Sequence, residues 1–267
     1  MSIKEKFRKN KILYTILGAV VLILIILATA YFTKAYPVAL VGSNFISLRE
    51  LEIHIAVAKK LDPQADRQKA YEQLIANAKK EQLVGKVDLD EELKFYKTGR
   101  DGEYLKFLNY YFSGDEELFK KLVVAPKAYD ANLAIKYNSD FGANNDAYNK
   151  ASNVINKLNE GQSFEELAKI YSDDKISGQL GGDLGFVASG QLLPELEKAV
   201  TSSTLGEVKK QIVVSRLGYH ILYPVESAQK DGEKVWHVKH ILTQTQGYES
   251  WLNAQLDTIR MRKFFNL

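Results

Sequence analysis

LGYHILYPVESAQKDGEKVWHVKHIL, residues 217–242, holds two apolar runs separated by a polar stretch that contains Asp231-Gly232. Residues 217–225 read as one strand and residues 235–242 as another, each rich in β-branched and aromatic residues. Side chains alternate along a strand, so Trp236, Val238, His240 and Leu242 share one face. That face is apolar apart from His240, while His237 and Lys239 point the other way. Two more strands are expected just upstream, GDLGFV (182–187) and VKKQIVVS (208–215).

Helices surround this strand-rich region. Ala147, Ala151, Val154, Ile155 and Leu158 form a helical stripe that stops at Gly161, a residue suited to a helix C-terminus. Ser163 and Glu166 cap the next helix, and Pro194 opens another that runs to about Val200. Further upstream, residues 36–61 read as strand, turn and helix, with Ser47 and Glu50 as a capping box. A helix over 67–83 carries Ala70, Tyr71, Leu74, Ile75 and Ala78 on one stripe. Asp88–Glu91 and Ser113–Glu116 are two further capping signals, and Pro126 opens a helix with Tyr129, Leu133 and Tyr137 in register. The charged runs here read as solvated helix faces.

The N-terminus differs from all of this. Lys4, Lys6, Arg8, Lys9 and Lys11 precede residues 12–32, which carry no charge. At ~1.5 Å per residue that run spans about 30 Å, the thickness of bilayer hydrocarbon. A cleaved signal peptide is the competing reading, with ATA at 28–30 as its cleavage site, but signal cores are shorter. The basic flank implies a cytoplasmic tail (1–11), a transmembrane anchor (12–32) and export of the rest. Composition adds exclusions. There is no cysteine, which rules out disulfides, thiolate chemistry and a cysteine-linked lipid anchor. Net charge is +3, too small for a nucleic-acid footprint.

GQSFEELAKIYSDD (161–174), GGDLGFVASGQLLPELEKAV (181–200), LGEV (205–208) and LGYHIL (217–222) resemble, in order and spacing, the parvulin-type (PpiC, rotamase) peptidyl-prolyl isomerases. PVALVGSNFISLRELE (37–52) resembles the start of the helical chaperone domain in SurA- and PrsA-like foldases. The resemblance implies an α+β protein. A SurA-N-like helical domain would occupy 37–140, a parvulin-like domain with a four-stranded antiparallel sheet 141–245, and a helical tail 246–267. No metal or cofactor is implied.

Carried onto this chain, the family's Cys/Asp position is Asp174 and its second core histidine is His220. Leu184, Leu192 and Leu196 fall at positions lining a proline pocket, with Phe186, Gln191 and Ser215 as further substrate-binding candidates. Simple alternatives stand beside these: core packing for each Leu, a satisfied core histidine for His220, a turn or capping acid for Asp174. The family's first histidine lies in an H-I-L strand ahead of the helices, and residues 131–142 hold no histidine. HVKHIL (237–242) supplies one after the last family strand. Two explanations compete: a permuted domain whose first strand is 235–242, with His240 as the missing histidine, or the remnant of a second repeat. Permutation requires His220 and His240 on one face of the sheet, hence paired positions of even sum. A two-residue Asp231-Gly232 turn gives an odd sum. The expectation is therefore a three-residue loop, Lys230-Asp231-Gly232, or a bulge of equivalent parity, pairing His220 with Leu242 and Leu222 with His240.

The implied function is an extracytoplasmic prolyl isomerase and folding chaperone, acting without covalent chemistry on unfolded or proline-containing exported polypeptides. Departures stand against full activity: Leu192 where Met is common, Leu196 where Phe is common, and Leu217 before Gly218. The alternatives are a catalytically inactive holdase with the same fold, or a purely structural membrane-tethered assembly factor.

Overall fold

The computed structural model describes residues 3–97 and 101–265. Contacts divide the chain into two compact units, Met1–Ala78 with Ile259–Leu267, and Lys79–Thr258. The limits expected at 140/141 and 245/246 both fall inside the second unit.

The first unit begins with α1 (Ile3–Phe32). Its Thr15–Phe32 stretch has a mean hydropathy of 2.6 and is long and apolar enough to cross a membrane, a property shared by anchors and signal sequences. β1 (Pro37–Val41) and β2 (Asn44–Ser47) form a hairpin, followed by α2 (Leu48–Leu61) and α3 (Arg67–Val84). Ser47 caps α2 by accepting the Glu50 N–H at 3.2 Å, as the capping box implies. Val38, Ala39, Val41 and Ile46 bury themselves with Leu51 of α2 and with Tyr71, Leu74, Ile75 and Ala78 of α3. Two elements escape the sequence reading. β2 is only four residues long, and β7 (Met261–Lys263) interrupts the expected helical tail by pairing antiparallel with β1. Such short strands have too few residues to show alternation.

The second unit continues with α4 (Leu89–Lys97), α5 (Asp101–Phe112) and α6 (Glu116–Phe119). A π-helical turn at Lys120–Val124 leads on into α7 (Ala125–Asn138), which carries Pro126 in its first turn. The expected Ser113 cap is displaced by two residues: Asp115 accepts the Leu118 N–H at 2.9 Å, while Ser113 and Gly114 take positive φ and end α5. Next come α8 (Asn145–Asn159), α9 (Phe164–Tyr171), α10 (Lys175–Gln179), β3 (Asp183–Ala188), α11 (Pro194–Thr201), β4 (Lys209–Ser215), β5 (Gly218–Lys230), β6 (Glu233–Gln244) and α12 (Tyr248–Thr258).

The sheet order is β3-β6-β5-β4, all antiparallel. Alternation sends neighbouring residues into different layers. Ile221 and Ile241 pack with Val154, Phe164, Leu167 and Ala168 of α8 and α9. Leu222 and Val238 pack on the other side with Leu196, Ala199 and Val200 of α11. Residues 131–137 lie in α7, and 235–242 sit inside the sheet between β3 and β5. This is the arrangement expected of a permuted domain.

Of the two expected arrangements, a three-residue loop or a bulge of the same parity, the second is found. Asp231 (φ 52°) and Gly232 (φ 84°) make a two-residue turn with Lys230 opposite Glu233. Both central residues have positive φ, which matches the right-handed twist of the flanking strands. The pairing starts odd and changes parity between Pro224 and Glu226, where Val225 is the extra residue of a bulge. Beyond it Pro224 faces Val238, Leu222 faces His240, and His220 faces Leu242. Proline has no N–H to give to the ladder, so a break in pairing costs least there.

Candidate active site

His240 and His220 project from adjacent central strands, and their Nδ1 atoms lie 3.3 Å apart. The rings stack at 26° with centroids 5.5 Å apart. The His240 Nε2 is 2.9 Å from Asp174 Oδ2 and 3.0 Å from the Ser177 hydroxyl, which itself bonds Asp174 at 2.6 Å. At the other end the His220 Nε2 is 2.8 Å from the Ser215 hydroxyl, and that hydroxyl accepts the Leu217 N–H at 3.0 Å.

Protonation follows from these contacts. Burial works against the charged form of Asp174. The Ser177 hydroxyl, His240 and the N–H groups of Ser177 and Ile176 outweigh it and hold the carboxyl down at about 2. Burial pushes His220 down to about 3, assisted by His240 and opposed by Asp174. Burial also lowers His240, against the pull of Asp174. Both rings are therefore neutral at pH 7. Only one proton arrangement then satisfies every contact: Ser215 O–H donates to His220 Nε2, His220 Nδ1–H to His240 Nδ1, and His240 Nε2–H to Asp174. The two histidines carry different tautomers.

Local sequence explains why these groups meet. Asp174 is the N-cap of α10, accepting N–H bonds from Ile176 at 3.0 Å and Ser177 at 3.3 Å, so it is a capping acid and the partner of His240 at once. Residues 172–174 clamp the C-terminal end of β6. Ser172 Oγ accepts the Leu242 N–H, the Asp173 N–H donates to the Leu242 carbonyl at 2.7 Å, and the Asp173 carboxylate accepts the Gln244 N–H. On the far side the His240 N–H donates to the Gly182 carbonyl at 2.8 Å. Gly182 has φ +83°, and a Cβ there would stand 2.4 Å from the His240 carbonyl oxygen. Glycine is required at this position by conformation and by space.

An apolar patch borders the histidines. Leu222 lies opposite His240 and Val213 opposite His220. Leu184, Leu192, Leu193, Val213 and Trp236 are half-buried against the α11 cluster. Of the substrate-binding candidates, Leu184 and Leu192 belong to this patch. Leu196 is only 4% exposed and is a core residue beneath it. Three candidates lie elsewhere. Ser215 is fully buried and serves His220. Gln191 closes its own turn, its Oε1 accepting the Ala188 N–H at 2.9 Å. Phe186 pairs with His237, whose ring it stacks on at 5.1 Å, and residue 237 is on the opposite side of β6 from His240. The bulge between Asp183 and Phe186 breaks the strand alternation that would have put Leu184 and Phe186 together. Ser177, Val213 and Trp236 were not anticipated. The Asp174–Ser177 capping interval was the one sequence signal for Ser177. A cleft of about 890 Å³ lined by Leu158, Phe164 and Tyr223 opens on the α8–α9 side of the sheet, away from this site.

Residues 133–226 match the family described as Rotamase, PPIC-type PPIASE domain. The match stops before β6, so the strand that brings His240 lies outside it. The chain is 32% identical over 125 residues to the chaperone SurA of Legionella pneumophila (strain Lens), covering 46% of this chain and 29% of that one. It is 32% identical over 149 residues to foldase protein PrsA 2 of Bacillus cereus, covering 51% of each. The chain thus spans about half, or less, of the length of these relatives. A crystal structure of peptidylprolyl isomerase (PrsA) from Bacillus anthracis overlaps 70% of this chain and 85% of that chain, at 22% identity and a TM-score of 0.24. Residues 133–226 are thus similar to a PPIC-type peptidyl-prolyl isomerase domain, and about half of the chain is similar to SurA and PrsA proteins.

Proposed function

We propose that this chain is a membrane-anchored prolyl isomerase and folding chaperone that works outside the cytoplasm on unfolded, proline-containing polypeptides. One observation carries the reading: the unbroken chain Ser215–His220–His240–Asp174 lies beside a half-buried apolar patch. Rotation about an X–Pro bond faces a barrier of about 18–20 kcal/mol from amide resonance, and no covalent bond has to break. A catalyst must favour the twisted amide over both planar forms. The proline ring would sit on Leu184, Leu192, Val213 and Trp236, where exclusion of water disfavours the polar planar amide. Asp174, with 26% of its side chain exposed, faces the substrate together with the edge of His240. His220 and Ser215 are fully buried. They act as positioning residues, setting the tautomer and orientation of His240.

In this reading residues 12–32 stay as a single anchor with residues 1–11 in the cytoplasm, 37–140 form the chaperone module, and 141–245 form the isomerase module. A protease-coupled proline peptide assay on the purified chain is the test. A rate above background that falls in both Asp174→Ala and His240→Ala supports the isomerase. An unchanged background rate in all three proteins sinks it and leaves a holdase. Protease protection in spheroplasts checks the topology: a processed form lacking residues 12–32 would end the anchor reading.

A further inference from the structure

The outer face of the small sheet in the first unit has an unusual surface. The inner face buries Ala39 and Ile46 against α2 and α3. On the outer face Leu40 pairs with Phe45 on one side and with Arg262 on the other. Phe45 is 64% exposed and stacks on Phe264 at 6.4 Å. Aromatic contacts continue back to the end of α1. Phe265 meets Tyr36 edge-on at 5.8 Å, Tyr36 stacks on Tyr31 at 6.4 Å, and Tyr31 meets Phe32 at 5.7 Å. Residues 31–47 and 259–265 contain Lys34, Arg260, Arg262 and Lys263 and no acidic residue. Lys34 is paired with Glu52 and Lys263 sits over the Tyr71 ring, while Arg260 and Arg262 are exposed.

We propose that this face docks on the headgroup layer of the bilayer that α1 crosses. The aromatic rings would lie in the interface and Arg260 and Arg262 against anionic lipid. The inference rests on the anchor reading given above. Residues 33–36 alone separate α1 from β1, a reach of at most about 14 Å. The face therefore cannot move far from the membrane surface, and at such a local concentration a weak affinity is enough to hold it there. Aromatic rings favour the headgroup layer, and basic residues on a membrane-lying surface are attracted to anionic lipid headgroups. Docking would fix the orientation of the first unit on the membrane instead of leaving it on a free tether.

The absence of native cysteine makes the test direct. The full chain is reconstituted in phosphatidylcholine vesicles with and without phosphatidylglycerol, carrying a fluorophore on Ser43→Cys, next to the face, or on Lys59→Cys, on α2 behind it. Lipid spin-labelled at the headgroup is the quencher. Docking predicts several-fold stronger quenching at position 43 than at 59. The difference should shrink without phosphatidylglycerol, and in Phe45→Ser/Phe264→Ser and Arg260→Gln/Arg262→Gln backgrounds that keep the isomerase rate. Equal quenching at 43 and 59 in a chain that resists carbonate extraction overturns the docking while sparing the anchor. Extraction by carbonate overturns both. A signal at 43 that follows protein density and ignores anionic lipid assigns the face to a second copy of the chain and overturns the proposal as well.

Discussion

Leu222 of β5 faces His240 of β6, although the turn that joins the two strands begins with an odd pairing, Lys230 opposite Glu233. A single bulged residue, Val225, converts one register into the other. A one-residue slip sends every side chain of a strand to the opposite face. This bulge therefore decides whether the two histidines meet.

Asp174→Asn should separate the two duties of this residue. The amide oxygen still caps α10, so folding should persist with near-native thermal stability. The charge facing His240 is lost. We expect kcat/KM in the proline assay to fall about 10²-fold, the scale of losing one preorganised electrostatic contact. A rate within about twofold of wild type, in a variant that folds normally, would remove Asp174 from the reaction.

The pH dependence follows from the buried rings. His220 and His240 both have folded values below the ordinary imidazole range. At low pH the unfolded chain binds more protons than the folded one, so stability rises with pH until the unfolded histidines have titrated. Their contribution should be complete above about pH 6.5 and should be lost as pH falls below it toward the folded values. Asp174 works in the same direction at lower pH, its contribution fading from about 4 downward. Thermal denaturation followed between pH 8 and pH 4 (an experimental range, roughly bracketing the imidazole value) checks this. Replacing both histidines with Gln should flatten the upper part of the curve.

Gly182→Ala and Gly185→Ala should differ although both residues have positive φ. At Gly185 a Cβ has nothing within 4 Å, so only conformational strain of about 1–2 kcal/mol applies. At Gly182 the Cβ meets the His240 carbonyl oxygen at 2.4 Å and displaces the histidine strand as well. The Gly182→Ala protein should lose clearly more stability, and its catalytic rate should fall even where it remains folded. Equal melting temperatures for the two variants would contradict this account.

A fragment limited to residues 133–226 should fail to fold cooperatively. It lacks β6, which pairs with both β3 and β5 and supplies Val238 and Ile241 to the two cores. Extending the fragment to residue 246 should restore a cooperative transition and the His220–His240 pair. Far-UV and near-UV circular dichroism on both fragments would show it.

Local chemistry in the sequence was enough for most of the longer elements, though not for the short strands β2 and β7. Ser47 and Ser163 with Glu three positions on, Pro194 at a helix start and the alternation of 235–242 mark their elements because capping, proline and strand periodicity act over a few residues. His240 stands out as the polar residue on an otherwise apolar strand face, whereas Asp174 and His220 are picked out by the resemblance of YSDD and GYHIL to the parvulin family. Tertiary structure decided the rest. Parity allowed either a three-residue loop or a bulge, and the choice of the Val225 bulge depends on a partner strand, which local propensity does not encode. Ser215 and Phe186 look equally available in sequence, yet one is sealed beneath His220 and the other lies against His237, because burial is set by what packs across the sheet. Ser177 joined the site only when α10 was laid against β6. Proton order along Ser215, His220, His240 and Asp174 exists only after folding, since it requires four groups distant in sequence to be desolvated together.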